Sequence, residues 1–231
     1  MTQTRIELFI DVFDQTAQRA LALSDLTPPQ LIKAILQEFH SLEYLSDEPA
    51  NYYLIRTESG EQLFDDQPLS AQVKQKERLV LLEREATLPA GTHRPARPVY
   101  LREMREGKAF KIHWLPAIIG RHSEFQPYDE LVAVDLRSYP TGLRVSRRHV
   151  KLSDDGEHFY IENMASNPVL LLSPQQAGPI QVGGAPQPIA NGDIIRLERS
   201  GIELKFIVRN PPAEMPSATL SENPTGSTSG D

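Results

Sequence analysis

The sequence predicts a multi-domain chain: a small α+β unit, then an all-β sandwich, then a disordered tail. Three observations lead there. Residues 4–86 combine alternating apolar stretches with one helical period. Residues 98–210 carry many short apolar runs separated by turn residues and no convincing amphipathic helix. From Pro211 to Asp231 the chain is rich in Pro, Ser, Thr and Gly with few apolar residues, a composition too polar to bury a core.

In the first unit, residues 5–12 alternate, with Ile6, Leu8, Ile10 and Val12 on one face of a half-buried strand. Leu21, Leu23 and Leu26 mark a second apolar stretch, read as the returning hairpin strand. Thr27-Pro28-Pro29-Gln30 is a helix start, with Thr27 as N-cap, Pro28 at the first helical position and Gln30 closing a capping box. Leu31, Ile32, Ile35, Leu36 and Phe39 then define one helical face. Residues 52–55 and 62–64 flank Glu58-Ser59-Gly60-Glu61 as a hairpin, and Leu79-Val80-Leu81-Leu82 reads as a buried closing strand. Residues 87–97 are Pro-rich and read as a semi-extended linker.

The sandwich strands are read at 109–114, 117–119, 131–136, 149–152, 158–161, 169–172, 193–197 and 202–208. Ser153-Asp154-Asp155-Gly156 is a hairpin turn between two of them.

Composition removes several classes of function. The chain has 231 residues, a net charge of −7 and a pI near 5.4, which argues against a nucleic-acid binder. No run of 18 apolar residues exists, so no membrane insertion is expected. The N-terminus enters a strand pattern directly, so no signal peptide is expected. Cysteine is absent, which excludes disulfides, thiol catalysis and cysteine zinc sites and is compatible with a cytoplasmic location. Residues 1–86 hold 8 Lys/Arg and 15 Asp/Glu, whereas residues 98–210 hold 14 and 13. The acidity therefore sits in the first part, and the basic residues of the second are available for local use.

Four short motifs in the second part carry chemistry: Gly120-Arg121, Ser146-Arg147-Arg148-His149, Ser166-Asn167 and Gly192-Asp193. In this order, within a strand-rich segment, they read as a phosphate site built from loops at one end of the sandwich. A phosphorylated side chain brings nearly two negative charges and three acceptor oxygens. Holding it requires an arginine for charge-assisted hydrogen bonds, with hydroxyl and backbone donors aimed by fixed strands.

The same segment resembles a forkhead-associated (FHA) domain, a β-sandwich that binds phosphothreonine peptides. That family's pattern is Gly-Arg, Ser-Arg-x-His, a Ser/Thr-Asn pair before Gly-Thr, and Leu-x-x-Gly-Asp. Here it is matched by Gly120-Arg121, Ser146-Arg147-Arg148-His149, Ser166-Asn167 and Ile189-Ala190-Asn191-Gly192-Asp193. The resemblance implies that Arg121 contacts the phosphate, Ser146 donates its hydroxyl, Arg147 lies beside the ligand, Ser166 touches phosphate and Asn167 hydrogen-bonds the peptide backbone. It further implies that Gly120 permits a close turn and that His149 holds the loops from behind. The chain departs from the pattern at Asn167-Pro168-Val169, where the family has Asn-Gly-Thr, and in a longer acidic stretch bearing Glu124, Asp129 and Glu130. These acids either repel phosphate or select basic residues around it.

The β-β-α-β-β order with a final strand over residues 4–86 resembles the ubiquitin-like β-grasp fold, in particular the small ubiquitin-like proteins of bacterial type VII secretion. The last strand runs on through Glu83-Arg84-Glu85-Ala86 into another domain, so a docking surface is the expected role rather than conjugation.

The chain is thus expected to be a non-enzymatic signalling adaptor, without cofactor or metal. Its partners would be a Thr-phosphorylated protein (a Ser/Thr kinase or its substrate) and, through the ubiquitin-like domain, a component of type VII secretion or another assembly. The alternative, motivated by Asn167-Pro168-Val169, is a structural scaffold whose phosphate pocket is degenerate. Nothing in the spacing of the histidines resembles a metal or catalytic motif.

Overall fold

A computed structural model describes residues 4–123 and 129–210. Glu124 and the tail expected to be disordered lie outside them. The described residues fall into two compact units, 4–31 with 52–82 and 32–51 with 83–210.

The first sheet is formed by β1 (Arg5–Val12), β2 (Gln15–Leu23), β3 (Tyr52–Arg56) and β4 (Glu77–Glu83), with α1 (Pro28–Glu38) after β2 and the short α2 (Leu69–Gln72) before β4. Its order is β2-β1-β4-β3, with β1 antiparallel to β2 and parallel to β4. The alternation read in β1 is real: Ile6, Leu8, Ile10 and Val12 are buried. Register explains an exception in β2. Ala22 lies opposite Ile6 on the buried face, while Leu21 lies opposite Glu7 and is exposed. The helix start forms as expected, because the Thr27 N–H donates to Oε1 of Gln30 at 2.9 Å. Leu31, Ile32, Ile35 and Leu36 are buried, whereas Phe39 falls beyond the last helical turn. The hairpin expected after β3 forms as a short ladder: Ile55 and Gln62 bridge, flanked by the Arg56 N–H on the Glu61 carbonyl and the Leu63 N–H on the Leu54 carbonyl, both at 2.9 Å; Leu63 is buried and Phe64 exposed.

The remaining strands are β5 (Val99–Glu103), β6 (Ala109–Ile112), β7 (Ala117–Gly120), β8 (Val132–Asp135), β9 (Val150–Asp154), β10 (Phe159–Asn163), β11 (Val169–Leu172), β12 (Ile180–Val182), β13 (Gln187–Ile189), β14 (Ile194–Leu197) and β15 (Ile202–Val208). They form a five-stranded sheet, β13-β10-β9-β7-β8, and a six-stranded sheet, β12-β11-β14-β15-β5-β6. The inner faces of the two meet in one core. Ile119, Val134, Val150, Leu152 and Ile161 come from the first sheet; Val99, Leu101, Val169, Leu197, Leu204 and Phe206 come from the second. Phe159 and Phe206 meet edge to face across it, with ring centroids 5.4 Å apart. No described helix is long and apolar enough to cross a membrane.

Segment 87–97 is pinned within the second unit. His93 exchanges both backbone hydrogen bonds with Leu115, and its Nε2 lies 2.7 Å from Oδ1 of Asp154. Arg97 stacks its guanidinium over the Phe159 ring at 5.6 Å.

The core's dependence on Phe206 is testable. Phe206 is wholly buried, so Phe206→Ala is expected to lower unfolding free energy by about 3–5 kcal/mol. The check is the midpoint of denaturant unfolding followed by near-ultraviolet circular dichroism.

Candidate functional site

Strand register determines which loops share a rim. Ile119 of β7 pairs with Val150 of β9, and Val150 pairs with Asn163 of β10. The exit from β7, the entry to β9 and the exit from β10 are therefore neighbours. Val169 at the start of β11 pairs with Leu197, so the β14–β15 turn reaches the same end. Loops 120–123, 144–149, 163–168 and 198–201 converge there.

The closest approach is at Gly120. A Cβ at this position would lie 2.0 Å from the carbonyl oxygen of Arg147 and 3.0 Å from that of Ser146. Only glycine lets the β7 exit pass this near the Ser146–Arg147 backbone. Directly after it, the Arg121 Nε–H donates to the carbonyl oxygen of Val145 at 2.7 Å, which ties the side chain to the residue before Ser146. The terminal nitrogens of Arg121 make no further hydrogen bond among the described residues. A guanidinium carries five N–H donors, so four remain for a ligand.

His149 braces this loop from inside. It is fully buried; its N–H donates to the Ile119 carbonyl at 3.1 Å, and its Nδ1 accepts the Ser146 N–H at 3.3 Å. Accepting at Nδ1 places the proton of the neutral ring on Nε2. Burial holds the imidazole below its ordinary pKa, opposed in part by the backbone of Asn167. The ring is therefore neutral at neutral pH, and its Nδ1 fastens the Ser146 backbone.

Arg121, His122, Ser123, Asp129, Arg147 and Arg148, with Val132, line a concavity of about 490 Å³. Among the described residues three arginines face one carboxylate there, a local excess opposite in sign to the net charge of the chain. Ser146, Ser166 and Asn167 are not in that lining. Ser146 is half-buried beside Gly120, and Ser166 is exposed at the tip of the 163–168 loop. Asn167, partly exposed, hydrogen-bonds neighbouring loops. Its Nδ2 donates to the Arg144 carbonyl at 3.4 Å, and its Oδ1 accepts from Nη1 of Arg199 at 3.2 Å. The 163–168 loop is fastened to the 144–149 loop by the Met164 N–H on the His149 carbonyl at 2.9 Å.

Two participants escaped sequence reasoning. Arg148 stands where the motif tolerates any residue, and only the doubled arginine signals it. Arg199 lies in a turn 32 residues beyond Asn167, and nothing local marks it. At the other end of the sandwich a second cleft, of about 410 Å³, is lined by Arg97, His158 and Gln187 among others. Its arginine is already stacked on Phe159.

No protein-family model matches the chain. A curated protein of Schizosaccharomyces pombe (strain 972 / ATCC 24843), named "Probable E3 ubiquitin-protein ligase dma1", is 32% identical over 95 residues, covering 40% of this chain and 34% of that protein. The chain thus spans about a third of the length of the curated relative it matches. Among solved structures, one described as "Structural and functional analysis of phosphothreonine-dependent FHA domain interactions" is 22% identical, with a TM-score of 0.36 over 49% of this chain and 98% of that one. Another, "Mycobacterium tuberculosis EmbR in complex with low affinity phosphopeptide", is 22% identical, with a TM-score of 0.37 over 51% of this chain and 26% of that one.

Gly120→Ala should cost more than about 2 kcal/mol, because backbone rather than a flexible side chain occupies the space. Thermal unfolding of the variant measures it. The His149 shift has a defined sign. Above the unfolded-state value of 6.5 the ring is neutral in both states and contributes nothing to the pH dependence. As pH falls below it, the unfolded chain takes up a proton that the native ring refuses, and stability declines until the lower native pKa is reached. Unfolding midpoints measured between pH 7 and pH 5 are expected to fall less steeply for His149→Gln than for the wild type.

Proposed function

We propose that this chain is a non-enzymatic adaptor whose sandwich is an FHA-type reader of phosphothreonine. The observation that carries the reading is Arg121: fixed through Nε at the mouth of a cationic concavity, with its terminal nitrogens uncommitted among the described residues. Arg147 adds a second cation, and the Ser146 hydroxyl and backbone lie next to the Gly120 approach. The sequence likeness to the yeast relative supports the reading without extending its ligase activity to this chain. Lacking cysteine, the sequence has neither a thiol to carry ubiquitin nor a cysteine-ligated zinc site.

Residues 4–86 are proposed as a ubiquitin-like β-grasp domain that docks a second protein, with a type VII secretion component as the partner class. The sheet order, with the parallel β1–β4 pair at its centre, supports this. The cytoplasm is the proposed location, where Ser/Thr kinases would supply the ligand. The scaffold reading, with a degenerate pocket, draws on Asn167, whose amide oxygen and nitrogen each already have a partner within the chain.

Hydrogen bonds to a charged group contribute about 1.5–3 kcal/mol each. Three or four of them, less the cost of ordering a peptide, correspond to affinity on the order of micromolar. Fluorescence anisotropy on one peptide set, in phosphothreonine, phosphoserine and unmodified forms, tests the reading. Wild type is expected to prefer phosphothreonine, and Arg121→Ala to weaken that binding by about 10–100-fold. Equal binding of phosphorylated and unmodified peptides, or an unaltered constant in Arg121→Ala, would favour the scaffold.

A further inference from the structure

Among the described residues the rim presents three arginines, more than a single phosphate group requires. Arg121 and Arg147 face the concavity without an ionic partner among the described residues, whereas Arg148 faces it with Nη1 3.3 Å from Oδ2 of Asp129. Asp129 has a second commitment: its Oδ1 accepts the Leu131 N–H at 3.1 Å. The carboxylate therefore has one oxygen bound to its own loop and one on Arg148. It keeps its loop partner if Arg148 leaves.

The pair is weakly held. The Arg148 side chain is 47% exposed and that of Asp129 is 30% exposed. Ion pairs this open to water contribute little, because solvent screens them and two long side chains must be ordered. An incoming anion that offers better geometry exchanges with Asp129 at small cost. Asp129 thus stands in the empty pocket as an internal substitute for a ligand anion. With both oxygens already engaged, it is poorly placed to select a basic ligand residue.

We propose that Arg148 is a second anion subsite, held by Asp129 until ligand arrives, and that the preferred ligand carries a second anionic group next to its phosphothreonine. This rests on the phosphothreonine reading given above. The second group is a carboxylate or another phosphate, and both present the same charged oxygens to the guanidinium.

The test uses the full chain and phosphothreonine peptides flanked by alanine, aspartate, phosphoserine or lysine, titrated by isothermal calorimetry. The wild type is expected to bind the aspartate- or phosphoserine-flanked peptide about 3–10-fold more tightly than the alanine-flanked one. The stronger arm identifies the source of the second anion. Arg148→Ala and the polar variant Arg148→Gln are both expected to bring that ratio close to one. Asp129→Asn is expected to strengthen binding of the acid-flanked peptide, and in the Asp129→Asn/Arg148→Gln double variant that gain should vanish. Equal affinity of wild type for alanine and acidic flanks overturns the subsite, as does a preference for lysine flanks that disappears in Asp129→Asn. A gain from Asp129→Asn that persists without Arg148 overturns the exchange between the two residues. Failure of wild type to bind any phosphothreonine peptide better than Arg121→Ala does removes the underlying reading together with the subsite, and is recognisable as that separate outcome.

Discussion

The close passage of the β7 exit across the Ser146–Arg147 backbone is the constraint from which the rim follows. A side chain at position 120 would sit on the Arg147 carbonyl, so the approach exists only because the residue is glycine. The approach brings the next residue, Arg121, within hydrogen-bond reach of Val145. It also leaves the His149 N–H on Ile119 and the Ser146 N–H on the imidazole, so one buried ring fastens the loop on two sides. Sheet register then brings the 163–168 loop to the same place through Asn163, opposite Val150. Geometry at the rim is thus inherited from β7, buried along its whole length, and from β9 and β10, each with one face in the core.

Two electrostatic regimes lie within a few residues of each other. Inside, His149 is desolvated and neutral, and its role is to hold the loop. Outside, among the described residues, three arginines meet one carboxylate in water. Charges open to water at a mouth keep most of their hydration and cost the fold little; in the proposed reading they would steer an anionic ligand. Among the described residues, arginine exceeds carboxylate around this concavity although the chain as a whole carries a net charge of −7.

Much of this was legible in the sequence, for identifiable reasons. Strands such as β1 and β15 alternate strongly because one face is buried, and the helix start at Thr27-Pro28-Pro29-Gln30 carries its own capping chemistry. Convergence of Gly120, Arg121 and Ser146 followed from motif order. What escaped depended on partners distant in sequence. β5 was not read as a strand, because four of its five residues are buried and its alternation is weak. β12 and β13 have three residues each, and one of them contains Pro188. The Asn167 amide oxygen is held by Arg199, and the pairing of Asp129 with Arg148 joins two loops that no local pattern connects. In the expected hairpin at 62–64, only Leu63 is buried, and the apolar Phe64 is exposed.

The central claim is that anion recognition takes place at the Arg121 rim and nowhere else on the sandwich. Amide and arginine-side-chain chemical-shift mapping, with a phosphothreonine peptide titrated into the isotopically labelled full chain, tests it most directly. The account predicts the largest changes at Gly120–His122, at Ser146–Arg148 and at the Arg121 Nε–H, saturating together. Changes centred instead on the far cleft near Arg97, His158 and Gln187, with the Arg121 signals unmoved, would contradict it.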